Sequence, residues 1–377
     1  MNAFSITRTA AMMAKEFVQM RRDRLTLGMM VGIPVIQLFL FGFAINSDPR
    51  HLPAMLVASE RGPYDAALVS AMEASRYFRF TGAGGPDEAA AALARGDVQF
   101  TLHLPPDFSR ALVRGDHPDI LLVADATDPS ATGNAVGAME GIVAEAWKRD
   151  LAGPLAGLAP GPSAPARVVV HREFNPAGLS QFNIVPGLMG VILTMRMVMI
   201  TSLAITRERE RGTMENLLSM PLRPLEVMVG KIVPYILVGL VQVVLILLAA
   251  WGVFGVPVGG NLLVLVGCTL VFIAANLAVG VTFSSVATNQ LQAVQMSFFF
   301  FLPSLLLSGF MFPYRGMPVW AQWLGEVFPL THFNRIARGV LLKDWGWPEA
   351  LGELAPVGLF LVVALAVALN RYRQTLD

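Results

Sequence analysis

The chain has 377 residues, of which 54% are hydrophobic and only 15% charged, where soluble domains carry roughly 25% charged residues. A net charge of +1 leaves no basic surplus for a nucleic-acid partner, and a single cysteine, Cys268, leaves no intrachain disulfide framework or thiolate metal cluster. With a mean hydropathy of +0.57, the composition is that of an integral membrane protein.

Residues 1–24 open the chain. Ile6, Ala10, Met13, Phe17 and Met20 recur at helical spacing, while Arg8, Lys15, Gln19 and Arg22 take the opposite face. That pattern predicts an amphipathic helix lying in the cytoplasmic interface. A first transmembrane helix follows at 25–46. It is too long for a signal-peptide core and has no small-residue cleavage site after it, so it is expected to remain as an anchor.

Residues 47–181 are polar and of domain size. Strand-like runs "LPAMLVAS", "RYFRFTG", "VQFTLHLP", "DILLVADA" and "ARVVVHREF" alternate with helical stretches such as "PDEAAAALARG" and "PDFSRALVRG", which predicts an α/β domain with a parallel or mixed sheet. Asp125 and Asp128 in "VADATDPSAT" read as Asp-Pro turn chemistry. "AGLAPGPSAPA" reads as a flexible loop.

Five further runs, 182–205, 232–254, 262–283, 291–312 and 354–370, approach the ~20 apolar residues needed to cross ~30 Å of hydrocarbon. The fold class expected is therefore membrane α-helical: six transmembrane helices, an inserted external α/β domain and an N-terminal interfacial helix. Lys and Arg concentrate before the first span and in the loop 206–231, which places both in the cytoplasm, together with the C-terminus. Residues 47–181 then face outward. The outer loop 313–353 breaks the rule with Arg315, Arg335, Arg338 and Lys343, and it is expected to dip back into the interface as re-entrant helices. Trp320, Trp323, Trp345 and Trp347 suit an aromatic belt.

Between the second and third spans lies a hydrophilic island, "AITRERERGTMENLLSMPLRPLEVMVGK". Arg207 with Glu210, and Glu208 with Arg211, stand at i,i+3. Met214, Leu217 and Leu218 make an apolar stripe, and Pro221 and Pro224 end the helix. A short amphipathic helix held between two spans is a lever for a cytoplasmic partner. Orientation alone accounts for the arginines, but not for the interleaved Glu208, Glu210 and Glu215.

"RERERGTMENLLSMPLRPLEVMVGKIVPY", together with "LSGFMFPYRGMPVWAQWLGEVFPLTHFNRIARGVLLK", resembles the type-2 ABC exporter permeases, in particular the bacterial multidrug-efflux-like subfamily with a large external domain after the first span. The resemblance extends over nearly the whole chain. It implies a half-transporter in the bacterial cytoplasmic membrane that pairs with a second permease, identical or similar. Separate ATPase subunits would dock on the island, with Glu208, Arg209, Glu210, Arg211, Gly212, Thr213 and Glu215 in the coupling segment. A periplasmic adaptor is a further expected partner. The chain has no G-x-x-x-x-G-K-[ST] loop, so ATP and Mg would belong to the partner, and this chain is expected to bind no cofactor or metal and to be no enzyme itself. Drugs or other amphiphilic small molecules are the substrates implied. Lipid or polysaccharide export, and a mechanotransmitting subunit that passes no substrate, stay open.

Arg196, within "GVILTMRMVMITSLAI", sits where that family normally carries an uncharged residue. A central Arg costs about 2.5–3.5 kcal/mol on the insertion scale, so it either faces the pathway or is paired or snorkelling. Gln37, Asn183, Asn276 and Gln295 are the other pathway candidates, against the reading that amides act as interhelical glue. The five histidines fall in no metal-binding spacing, and no G-x-S-x-G stands in the chain, which disfavours a membrane hydrolase.

Overall fold

The computed structural model describes residues 49–58, 62–147, 165–210 and 224–371. The expected interfacial helix, the first span with Gln37, and Arg211, Gly212, Thr213 and Glu215 of the island lie outside these residues.

The α/β domain is built on β1 (Leu52–Ala58), α1 (Pro63–Ala74), β2 (Phe78–Ala83), α2 (Pro86–Arg95), β3 (Phe100–Leu104), α3 (Phe108–Arg114), β4 (Asp119–Asp125), α4 (Pro129–Ala146) and β5 (Arg167–Glu173). The sheet order is β2-β1-β3-β4-β5. All pairs are parallel except β3 with β4, so the sheet is mixed. Alternation along the strands divides the core. Leu52, Ala54, Phe100, Leu102, Ile120 and Leu122 meet α1, α3 and α4 on one face, with Trp147 buried among them. Met55 and Val57 meet Ala89, Ala92 and Leu93 of α2 on the other. Helix α2 starts with Pro86 at its first turn and ends at Gly96, whose φ of 82° is open to glycine at no steric cost.

After β5, Asn175 organises the turn into the helical region: its amide donates to the carbonyls of Ala126 and Leu179 and accepts from the Leu179 N–H. Then come α5 (Ser180–Glu210), α6 (Pro224–Gly252), α7 (Leu262–Val286), α8 (Gln290–Leu307), a 3₁₀ turn (Tyr314–Gly316), α9 (Val319–Gly325), α10 (Pro329–Lys343) and α11 (Trp347–Arg371). Among the described residues five stretches are long and apolar enough to span a bilayer: Ser180–Ala204, Pro234–Gly252, Leu262–Val286, Gln290–Leu307 and Trp347–Asn370.

Two of these correct the expected bounds. The run expected at 291–312 ends at Leu307, because Gly309 takes φ 74° and turns the chain. The last begins at Trp347 rather than at 354, because the charge of Glu353, which argues against a span, is taken up by His332 and Arg335. Helix α7 is apolar on every side and packs against α5, α6, α8, α10 and α11. The stacked rings of Phe272 and Phe333, 4.1 Å apart at 8°, join it to α10, whose Leu330, Ile336, Ala337 and Val340 are fully buried.

Candidate functional site

The two regions meet where α2 ends. A helix C-terminus leaves its last carbonyls unpaired and carries a partial negative charge. Here the helical region supplies the donors. Lys343 Nζ donates to Leu93 O (3.2 Å), Trp345 Nε1 to Ala94 O (2.9 Å) and Arg315 to Gly96 O (3.1 Å). Lys343 also pairs with Asp125 at the end of β4, at 2.5 Å, with side chains only 7% and 8% exposed. Asp125 is thus half of a buried ion pair as well as a turn residue, since it also accepts from the Thr127 N–H and hydroxyl. Trp345, expected in the aromatic belt, is an anchor between the two regions; Trp320, Trp323 and Trp347 do remain exposed.

Beside this seam Arg335 is held by two carboxylates. It donates to Glu326 at 2.6 and 3.2 Å and to Glu353 at 3.2 Å, and lies 4.6 Å from the centre of the Tyr314 ring. Tyr314 donates its hydroxyl to Glu326 (2.6 Å). Burial would raise the Glu326 carboxyl, but the bonds from Arg335 and Tyr314 outweigh it and hold it below its ordinary value. His332, buried in the same cluster, has Nδ1 2.6 Å from Glu353 and Nε2 2.9 Å from the Glu326 carbonyl. Both ring nitrogens therefore face acceptors, which suits the imidazolium. Burial pulls its pKa down, and the Glu353 and Glu326 contacts raise it above the ordinary value.

Between the seam and this cluster is a cavity of about 410 Å³, lined by residues of both regions, among them Gln99, Arg315, Asn334, Arg338 and Lys343. The basic residues that broke the sequence's orientation rule all line it.

A family model of the ABC-2 family transporter proteins matches residues 24–370. The chain belongs to this family. It is the permease, or membrane-spanning, subunit of an ABC-2 type transporter. The probable multidrug ABC transporter permease YbhS of Escherichia coli is 31% identical over 339 residues, covering 89% of this chain and 88% of the relative. YbhR of the same organism, with the same description, is 27% identical over 361 residues and 96% of both chains. The inner membrane transport permease YhhJ of E. coli is 32% identical over 304 residues, 77% of both.

In this ABC-2 permease the described site residues fall in five places. Glu210 closes α5, and its carboxylate accepts from the backbone N–H of Gln290 (2.7 Å) and from its side-chain amide (2.5 Å). It thereby caps the N-terminus of α8, whose partial positive charge favours an anion. These bonds hold the Glu210 pKa down. Glu208 and Arg209 stand in the same last turn of α5. At the opposite end Asn183 donates to Asp128 of the α/β domain (3.1 Å), and Asp128 also caps α4. Helix α5 is thus fastened to the α/β domain at its start and to α8 at its finish, and a buried Ser202–Ser297 bond of 2.9 Å ties it to α8 in between.

Asn276 is fully buried in α7 and donates to its own helix at Phe272 O, with its Oδ1 unpartnered among the described residues. Gln295 is half-buried, with its Oε1 unpartnered among the described residues. Arg196 is exposed on α5 and makes no ion pair with any described residue.

The sequence reading missed Lys343, Asp125, Arg338 and Asn334 as site residues. The signal for three of them was present: cations in a loop where the orientation rule asks for few, and an acid ending a strand.

Proposed function

We propose that this permease is the pathway-forming half of an exporter. Two copies enclose the route, and separate ATPase subunits that dock on 207–231 drive it. The observation that carries this reading is Arg196. It stands inside the span Ser180–Ala204 on an exposed face with Ile184, Leu188, Met195 and Ile200. A guanidinium left against lipid tails costs about 2.5–3.5 kcal/mol, so this face is one that the first span or a second copy covers, that water reaches, or from which the guanidinium snorkels; we take it to face the route. Flexible methionines beside a single charge suit amphiphilic small molecules, drugs among them. The multidrug descriptions of YbhS and YbhR are in keeping with that class.

The basic loop 207–231 and the basic residues before the first span support cytoplasmic termini, six spans and an extracytoplasmic α/β domain in a bacterial inner membrane. ATP and its magnesium belong to the docked subunits. Their motion reaches α5 near Glu208–Glu215, passes to α8 through Glu210–Gln290, and reaches the α/β domain through Asn183–Asp128. An external adaptor would meet that domain. The same continuous rod also favours a second reading, in which the permease transmits force and passes nothing.

Reconstitution with the ATPase in liposomes tests both. Under the export reading, Arg196→Leu assembles normally and export of an amphiphilic dye falls severalfold. Wild-type export from that variant would remove the pathway role of Arg196. Robust ATP hydrolysis without movement of any substrate would favour the mechanical reading. Charge reversal at Glu210 and Glu215 should leave insertion intact and uncouple hydrolysis from movement.

A further inference from the structure

The 410 Å³ cavity at the seam falls within the roughly 300–1,000 Å³ of small-molecule sites, and its charges do not balance pair by pair. Lys343 is paired with Asp125, Arg95 with Asp97, and Arg335 with Glu326 and Glu353. Asp128, also on the wall, places Oδ1 on the N–H groups of Ser130 and Ala131 and accepts from Asn183. Among the described residues Arg315 and Arg338 hydrogen-bond carbonyls only, Gly96 O and Gly309 O, with Asp97, Asp125 and Asp128 acting on them through space. Arg338 is half-buried and Arg315 exposed, both on the cavity wall, and a cation partly withdrawn from water normally finds a carboxylate or a ligand.

Four buried polar atoms on the same wall have no hydrogen-bond partner among the described residues: Arg338 Nε, Asn334 Nδ2, Asn334 Oδ1 and Gln99 Oε1. Asn334 is only 1% exposed, so bulk solvent does not satisfy it. Its Oδ1 lies against α5, where a Cβ on Gly190 would stand 2.8 Å away, while the residue also lines the cavity.

These atoms describe a ligand. Two guanidinium groups and an amide N–H call for an anion with several acceptor oxygens, and the two amide oxygens call for hydroxyl donors on the same molecule. We propose that the cavity binds a phosphate ester bearing free hydroxyls, a glycerophosphate in chemistry, with Arg338, Asn334 and Arg315 on the phosphate and Asn334 Oδ1 and Gln99 Oε1 on the hydroxyls. The ester can be a lipid headgroup or a soluble molecule. Exposed Trp320, Trp323 and Trp347 on the flanking elements mark the headgroup level of a bilayer, within reach of the first source.

The test uses the full-length permease in an uncharged, phosphate-free detergent without ATPase, so its failure would leave the export reading standing. Thermal midpoints are titrated with sn-glycerol 3-phosphate, dihexanoyl phosphatidylglycerol and glycerol. A saturable rise with the phosphate esters and none with glycerol supports the site. A rise with both esters makes the soluble anion sufficient; a rise with the lipid alone makes the source a headgroup. Arg315→Gln and Asn334→Ala should each weaken binding by about tenfold or more, the value of one charge-assisted bond. Arg338→Gln would remove a half-buried group that also holds Gly309 O, so the exposed Arg315 carries the decision if that variant fails to fold. No saturable rise with either ester, or equal affinity in Arg315→Gln and Asn334→Ala, would mean a water-filled cavity and overturn the proposal.

Discussion

The α/β domain and the helical region treat charge in opposite ways. In the domain apolar side chains fill two clusters inside, and the ion pairs Arg95–Asp97, Arg114–Asp116 and Arg167–Asp119 lie outside, each side chain more than half exposed. Such pairs contribute little to stability. In the helical region the outside is apolar, with Val253 and Leu263 both 76% exposed, while hydroxyls and amides such as Ser202, Ser297 and Asn276 are turned inward. One region folds against water and the other against lipid. The seam between them belongs to neither solvent, and among the described residues charges are both buried and paired there and in the adjoining Glu326–His332–Arg335–Glu353 cluster.

Breaking the Lys343–Asp125 pair is therefore expected to have the largest effect. Removing one partner leaves the other charge buried, which costs about 3–5 kcal/mol. Lys343→Met alone should lower the thermal midpoint steeply, and Lys343→Met with Asp125→Asn should recover most of the loss, since no charge is stranded and the amide oxygen still accepts from Thr127. Fluorescence of Trp345, which is bonded across the seam to Ala94, follows the transition. A single variant no less stable than the double would show that the seam is solvated like the domain surface.

The same contrast governs what the sequence discloses. All five strand runs are strands: β4 and β5 write an alternation of burial into neighbouring residues, whereas β1, covered on both faces, registers as an unbroken apolar run. The helix α1 is not among the expected elements: its buried Leu68 and Met72 stand on a stretch rich in alanine, too weak a period to register. The start of α11 is missed because "WPEALGELAPVG" carries two acids and two prolines, and nothing local shows that Glu353 is neutralised by residues 18 and 21 positions away. Asp125 and Lys343 are 218 residues apart. The island's glutamates were legible as candidate coupling residues; that Glu210 caps α8 was not, because its partner stands 80 residues further on. Long-range pairing of charge leaves only anomalies in the sequence, here cations in the loop 313–353 and Arg196 in a span.

Glycine substitutions sharpen the comparison at a smaller scale. Helices in lipid approach closely through small residues. A Cβ on Gly280 of α7 would stand 2.7 Å from the Val198 carbonyl oxygen of α5, and backbone cannot turn aside as a side chain can. Gly280→Ala should destabilise by about 1–3 kcal/mol. On the domain's α4, Gly137 is exposed and a Cβ there meets nothing within 4 Å, so Gly137→Ala should stabilise by up to about 1 kcal/mol through helix propensity alone. Thermal unfolding of the two variants should shift in opposite directions; shifts of one sign would mean that α5 and α7 do not pack this closely.

The smallest effect is the dependence on pH written into the seam by His332. Its neighbours from every packed element are Glu326, Glu353, Arg335 and Tyr314. Because the folded protein raises its pKa above 6.5, its contribution is complete below about 6.5 and fades as pH climbs through the raised folded value. Glu326 works from the other side. Its folded pKa is depressed, so its contribution is present above the ordinary carboxylate value and is lost as pH falls through the depressed one. Stability from this cluster is therefore greatest in the window between those limits. In His332→Asn the decline on the alkaline side should vanish while the acid limb persists, and Glu326→Gln should remove the acid limb instead. Thermal midpoints from about pH 2.5 to 8.5 measure both, and an alkaline limb unchanged in His332→Asn would assign it to another group. No exposed pair of the α/β domain should produce such a limb, since a group that water already solvates gains too little on folding to move the midpoint.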